Sequence, residues 1–334
     1  MSMPPLCPTC GQPASEALGG PAHDWECRNE ACPEFGQPVD LRARVRPSWV
    51  PGELYPFADH YAEAAGCVVH YVDEGTGPPL LMLHGNPTWS FLYREIIAGV
   101  RDRFRCVAVD YPGFGLSQPR RGYRFTPAEH ADALEQLVLR LDLRGVTLMV
   151  QDWGGPIGFG VATRHPERFA AFVIGNTWAW PKADPATQAF SRFLGGAVGR
   201  RLILNRNLFV EGALGRGVRR PLPAAAMDAY RGPFPTPGSR WPTAVFPREI
   251  LASRPFLADV EQRLPVLRDR GALIVWPTRD VAFRGRERRR WEQLFPDHRT
   301  VMLEGAGHYI QEDAPDEIVA AIREHAAPVI TTGG

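Results

Sequence analysis

Lysine is almost missing from this chain: Lys182 stands alone among 38 basic residues, the rest being arginine. The arginines are dispersed and the formal net charge is +1, which excludes a global field that would recruit nucleic acid or an acidic membrane. Their densest cluster, Arg284 to Arg290 with Glu287 inside it, reads as the solvated face of a helix. Long apolar runs are missing too; none approaches the roughly 18 residues of a membrane span. Ahead of Cys7 there is neither a charged leader nor an apolar stretch of signal length, so a cytoplasmic location with reduced thiols is expected. Cysteine is scarce, six in all, and four of the six fall within the first 32 residues. Internal repeats are lacking.

What is present suits a large core with an appendage: 334 residues, 44% hydrophobic and 22% charged. The composition breaks near residue 45. Residues 1–45 form a Cys/Gly/Pro-rich module, and 46–56, with Pro47, Pro51, Gly52 and Pro56, form a linker. Beyond it, short runs rich in Val, Ile and Leu alternate with helix-length stretches. The runs are 67–72, 80–83, 106–109, 146–150, 172–174, 272–275 and 300–303, and most end in a polar residue, glycine or proline. Buried parallel strands have this appearance. Helical stretches such as 126–141, 155–165 and 316–325 follow, so the expected fold is a doubly wound α/β sheet. More than ninety residues separate the fifth run from the sixth, too many for a loop in a compact domain. They predict an inserted helical cap over 178–270, with a core of 57–177 and 271–334.

Three segments carry chemistry. In Val146-Thr-Leu-Met-Val-Gln-Asp152-Trp-Gly-Gly-Pro-Ile157 a strand-like run ends in a reactive type of residue, and two glycines lead into a helix. That is the strand–turn–helix setting of a nucleophile elbow, with aspartate where serine often stands. The first glycine of the usual pattern is Val150 here, so the tight turn rests on Gly154 and Gly155. The same position also suits an ordinary helix N-cap. In Leu80-Leu-Met-Leu-His84-Gly85-Asn86-Pro87 a strand runs into a turn whose backbone N–H completes an oxyanion hole in α/β-hydrolases. Glu304-Gly-Ala-Gly-His308 holds a histidine after the last strand, last in a nucleophile–acid–histidine order. Asp280, just past the strand that ends near Trp276, is the acid best placed to orient it; the plainer alternative is a surface aspartate beside Arg279.

An aspartate nucleophile selects its substrates. Serine displacing a group from saturated carbon would leave an ether that water cannot reopen. A carboxylate leaves an ester, which water activated by His308 can attack at the Asp152 carbonyl carbon. Backbone N–H groups of Asn86 and Trp153 would then hold the oxyanion. Alkyl halides and epoxides fit this scheme, ordinary esters and peptides do not. A departing halide needs N–H donors in a dry pocket, and the Asn86 amide and Trp153 indole supply them. An epoxide needs a phenolic acid, and Tyr230 is the only tyrosine within 177–271. Trp178, Trp180, Phe193, Phe246 and Pro247 are candidate pocket walls.

These segments resemble the haloalkane dehalogenases of the α/β-hydrolase superfamily. The likeness is carried by His84-Gly-Asn-Pro-Thr-Trp-Ser-Phe-Leu-Tyr-Arg94, Asp110-Tyr-Pro-Gly-Phe-Gly-Leu-Ser117, Gln151-Asp-Trp-Gly-Gly155, Tyr230-Arg-Gly-Pro-Phe-Pro-Thr236, Phe246-Pro-Arg-Glu249 and Gly307-His-Tyr-Ile-Gln-Glu-Asp313. It implies Asp152 as nucleophile, His308 as base, Asp280 as acid, and Asn86 with Trp153 as the halide-binding pair. It also implies a halogenated alkane and water as substrates, an alcohol, halide and proton as products, and no organic cofactor. One branch of the family has a glutamate where this chain has Asn176; the Asp280 position with Asn86, plus Asn176-Thr-Trp-Ala-Trp-Pro181, looks like the third subfamily. Two other functions stand beside this one, an epoxide hydrolase on the same Asp152/His308 pair and a non-catalytic scaffold for ligand binding or protein interaction. No nucleic acid or membrane partner is expected, and a homo-oligomer is left open.

The amino-terminal module departs from the family layout. Cys7-Pro-Thr-Cys10-Gly11 and Cys27-Arg-Asn-Glu-Ala-Cys32 give C-x2-C, sixteen residues, then C-x4-C. Four thiols at this spacing resemble a zinc ribbon, and in a reducing compartment they predict a closed structural zinc site on Cys7, Cys10, Cys27 and Cys32. The metal would supply the folding energy that so short a segment lacks. Cys67 and Cys106 fall in strands and read as buried hydrophobes.

Overall fold

The computed structural model describes β1 (Ser15–Glu16), β2 (Trp25–Glu26), Glu30 and residues 46–325. The predicted zinc ligands Cys7, Cys10, Cys27 and Cys32 lie outside the described residues. β1 and β2 pair antiparallel, Ser15 opposite Glu26.

The main sheet is built from β3 (His60–Ala64), β4 (Cys67–Glu74), β5 (Pro79–Leu83), β6 (Arg105–Val109), β7 (Val146–Asp152), β8 (Phe169–Thr177), β9 (Gly271–Pro277) and β10 (His298–Leu303). Its spatial order is β10-β9-β8-β7-β5-β6-β4-β3. Six strands run parallel, and β4 pairs antiparallel with both β6 and β3. All seven apolar runs lie within strands. β3 escaped the sequence reading because an edge strand alternates buried and exposed positions and has no continuous apolar signal. β5 is central: the chain leaves it for β6 on one side and returns to β7 on the other. Such a switch point opens a crevice at the carboxyl ends of the strands.

Helices α1 (Arg94–Val100), α2 (Pro127–Arg140) and α3 (Gly154–Ala162) follow β5, β6 and β7. α2 starts at Thr126, whose hydroxyl accepts from the Glu129 N–H, with Pro127 at its first position. Between β8 and β9 come α4 (Pro185–Gly195), α5 (Ala197–Arg206), α6 (Gly215–Gly217), α7 (Ala224–Arg231), α8 (Trp241–Ala252) and α9 (Arg254–Arg263). α10 (Gly285–Leu294) follows β9, and α11 (Ile310–Asp313) and α12 (Pro315–His325) follow β10. The arginine cluster does fall on a helix, α10, but Glu287 within it is buried and pairs with Lys182 at 2.6 Å.

The connecting segment from residue 46 is packed along the core. Arg46 reaches the Tyr55 carbonyl at 2.7 Å and grips Asp59 through two nitrogens. Tyr55 is fully buried with its hydroxyl on Ser90. Trp49 stands edge-on to Trp89 and fills a notch at Gly232, where any β-carbon would strike its indole.

Candidate active site

β7 delivers Asp152 to the crevice, and the backbone there is bent sharply, with φ +50° at Asp152 itself. A non-glycine residue in this left-handed region is strained and is held only by its surroundings. The motif suggests that the turn's demand falls on Gly154 and Gly155; the positive φ falls two residues before the first of them, on the aspartate. The glycines serve close approach instead. A β-carbon on Gly154 would collide with the Leu83 carbonyl, and one on Gly85 with the Asp152 carboxylate. That absence of side chain brings the β5 turn onto the carboxylate, so the Asn86 N–H donates to Asp152 Oδ1 at 3.0 Å and the Trp153 N–H also bonds the group. Burial raises the Asp152 pKa above the ordinary carboxylate value, against the pull of His308 and the two N–H donors.

His308 sits between β10 and α11. Its N–H donates to the Gly217 carbonyl at 2.8 Å, and its own carbonyl accepts from Asn176 Nδ2 at 2.7 Å and Gln151 Nε2 at 3.2 Å. The ring is thereby fixed with Nδ1 2.9 Å from Asp280 Oδ2 and Nε2 3.8 Å from Asp152 Oδ2. Burial works against a charged imidazole, but Asp280 and Asp152 outweigh it and lift the His308 pKa to about 9. Asp280 is buried, not the surface aspartate of the plainer reading. Burial opposes its charge, yet His308, the Asn176 amide and the Ala282 N–H together hold its pKa below the usual range.

The walls are aromatic. Phe246 of α8 stacks on the Trp153 indole at 4.9 Å, Trp178 meets the same ring edge-on at 4.8 Å, and Phe283 joins Trp178 to His308. Of the other proposed wall residues, Phe193 is 58% exposed on the outside of α4, and Trp180 packs against Trp291. The Trp153 Nε1 carries no hydrogen bond to a described residue. Asn86 Nδ2 makes one such bond, to the Thr243 carbonyl at 3.2 Å.

So Asp152, His308, Asp280, Asn86 and Trp153 meet in one place. Sequence reasoning missed Gln151, Asn176, Gly217 and Thr243 as partners. The sequence marks Asn176 only as a subfamily signature, and the other three act on atoms whose position no motif encodes. Tyr230, the one tyrosine within 177–271, is buried and gives its hydroxyl to Glu312. Among the described residues no three His, Cys, Asp or Glu side chains are grouped to hold a metal ion, and no helix is long and apolar enough to cross a membrane.

The alpha/beta hydrolase fold family matches residues 78–315. A curated relative named haloalkane dehalogenase 2, from Mycobacterium tuberculosis, is 46% identical over 274 residues, covering 81% of this chain and 96% of its own. A cis-3-alkyl-4-alkyloxetan-2-one decarboxylase from Shewanella oneidensis is 34% identical over 281 residues, with 81% and 88% covered. Among solved structures, the haloalkane dehalogenase DbeA from Bradyrhizobium elkani superposes with a TM-score of 0.71 at 29% identity, covering 80% of this chain and 99% of that one.

Proposed function

The chain belongs to the haloalkane dehalogenases of the α/β-hydrolase fold, and from that membership we propose a two-step reaction centred on Asp152. Its carboxylate attacks the halogen-bearing carbon; the new C–O bond forms as the C–X bond breaks, and the halide leaves with the bonding pair toward the Asn86 Nδ2 and Trp153 Nε1 donors. The product is an alkyl ester on Asp152. His308 then takes a proton from water, which attacks the Asp152 carbonyl carbon while the N–H groups of Asn86 and Trp153 hold the oxyanion. Collapse frees the alcohol and restores the carboxylate, and His308 passes its proton to solvent.

The single observation that carries this reading is the 3.8 Å between His308 Nε2 and Asp152 Oδ2. It exceeds a hydrogen bond, and a carboxylate nucleophile has no proton to surrender. The base is placed to serve a water instead. Its charge state follows the cycle. With Asp152 ionised, His308 is held near pKa 9 and is mostly protonated. Esterification removes the Asp152 charge, the lesser of the two carboxylate supports, and so lowers the imidazole pKa toward the base form that the water needs, while Asp280 keeps the ring oriented. Bromide release from 1-bromobutane and 1,2-dibromoethane tests the scheme: His308→Ala should give at most one bromide per active site, and sustained turnover in that variant would refute it.

A second reading has one support, the 34% identical oxetan-2-one decarboxylase. A strained lactone also presents a C–O bond on saturated carbon to a carboxylate. Carbon dioxide and alkene from a cis-3,4-dialkyl-oxetan-2-one, without bromide release from haloalkanes, would favour it.

We further propose the division into module 1–45, linker 46–56, core 57–177 with 271–334, and cap 178–270, and membership of the third subfamily on Asp280 with Asn86 and Asn176. For the module we propose structural zinc on Cys7, Cys10, Cys27 and Cys32. The β1–β2 ladder supports it, since it folds back the chain that separates the two cysteine pairs. One zinc per chain, lost in a Cys10→Ser/Cys27→Ser variant, is the expected result; metal-free wild type would refute the site. Free buried Cys67 and Cys106 suit the cytoplasmic location we propose.

A further inference from the structure

The cap helix α8 contains a proline, Pro247, in its interior. A helical N–H at position 247 would bond the carbonyl of Thr243, four residues earlier; proline has none, so that carbonyl loses its helical donor. Thr243 is fully buried, so water does not replace the donor. The hydrogen bond comes from outside the helix, from Asn86 Nδ2 at 3.2 Å. We infer that Pro247 is a positioning residue for the halide site: by leaving the Thr243 carbonyl free, it fixes which way round the Asn86 carboxamide lies.

An amide flipped by 180° would set its oxygen against the Thr243 oxygen, two acceptors facing each other with no proton between them. The carbonyl therefore selects the orientation with nitrogen toward the cap. One N–H of that nitrogen is used, and its second N–H has no acceptor among the described residues. The neighbouring residue of the same helix completes the device, because Phe246 stacks on Trp153 and sets the plane of its indole. The adjacent pair Phe246–Pro247 thus orients both donors, one by packing and one through an unfilled helical hydrogen bond. Asn86 Oδ1 is buried without a partner among the described residues, so none of them holds the amide by its oxygen. This inference rests on the proposal that Asn86 binds the departing halide.

Bromide affinity, read from quenching of tryptophan fluorescence, separates the two claims. Asn86→Leu should weaken bromide binding roughly tenfold, the scale of one hydrogen bond to a charged group. If it does not, the halide role of Asn86 fails and the inference with it. If it does, Pro247→Ala and Pro247→Val decide. Both restore an N–H to the helix, and valine also keeps most of the ring's volume. Both should weaken bromide binding several-fold with no fall in Tm, and neither should change it further in the Asn86→Leu background. Loss in the alanine variant alone would make Pro247 a space-filling wall and overturn the inference. So would wild-type affinity in both variants, or a loss that persists without Asn86.

Discussion

At the scale of single residues the site is a balance of charges around one imidazole. Asp280, 2.9 Å from Nδ1, is the strongest support for its proton, with Asp152 second. Asp280→Asn removes that support and leaves burial to dominate, so the His308 pKa should fall well below about 9. Halide displacement does not use the base, so a bromide burst should survive in this variant. Ester hydrolysis should slow by on the order of a hundredfold or more, the usual worth of a positioned base. Rapid-quench bromide release checks both halves, and a lost burst would contradict the division of labour. Asp152, His308 and Asp280 were legible because each lies at or a few residues beyond the carboxyl end of a strand and the chain order is informative. The Asn176 tether was not: its amide reaches the Asp280 carboxylate and the His308 carbonyl only because β8 lies beside β9. Pairing between strands a hundred residues apart leaves no local mark.

At the scale of elements, one buried group joins three helices that the sequence does not relate. Arg94 of α1 makes a two-pronged pair with Glu312 of α11 at 2.5 and 2.7 Å, Tyr230 of α7 adds its hydroxyl, and Arg94 lies over the Phe91 ring. Only 8% of the Arg94 side chain and 4% of Glu312 are accessible. A buried pair adds little net stability, but breaking it strands a charge in a dry place. Glu312→Gln should therefore cost about 3 kcal/mol in urea unfolding. It should also loosen the α7 side of the cap, since Tyr230 loses its charged acceptor. An unchanged midpoint would mean that water reaches Arg94. Six of the seven apolar runs were legible as strands because parallel strands are buried on both faces and need continuous hydrophobicity; the seventh, in β4, is antiparallel but lies buried between β3 and β6. The cap's helices were legible mainly as a gap too long to be a loop. Their contacts with α1 and α11 depend on long side chains whose reach a hydrophobic pattern does not record.

For the molecule as a whole, the notable tie is the one between the connecting segment and the sheet. Arg46 holds Asp59 at 2.7 Å, Asp59 meets His70 at 3.1 Å, and His70 meets Asp110 at 2.8 Å, with Asp110 also accepting from the Ser90 and Leu116 N–H groups. Sequence order shows Pro47, Pro51 and Pro56 and suggests a spacer, because nothing local says that an arginine before them ends on the aspartate just ahead of β3. The energetics are pH-dependent with a definite sign. Burial works against the Asp59 charge, but His70 and Arg46 outweigh it and hold its pKa at about 2, against an unfolded value of 3.8. A depressed carboxylate stabilises the fold above its unfolded pKa and loses that contribution as pH falls toward the folded one. His70 runs the other way: burial opposes its charge, Asp110 and Asp59 overcome it, and the raised pKa gives stability that is full below 6.5 and fades as pH climbs through the folded value. The two windows overlap between about pH 4 and 6.5, where the network contributes most. Arg46→Met deletes one arm while keeping most of the side chain's apolar length. Its urea midpoint should fall below wild type at pH 5 to 6, and the gap should close as the pH is lowered toward 3, where Asp59 in the variant is already taking up its proton. A gap that stayed constant across that range would mean Arg46 acts only by packing and by its bonds to the Tyr55 and Phe57 carbonyls, with the charge on Asp59 playing no part.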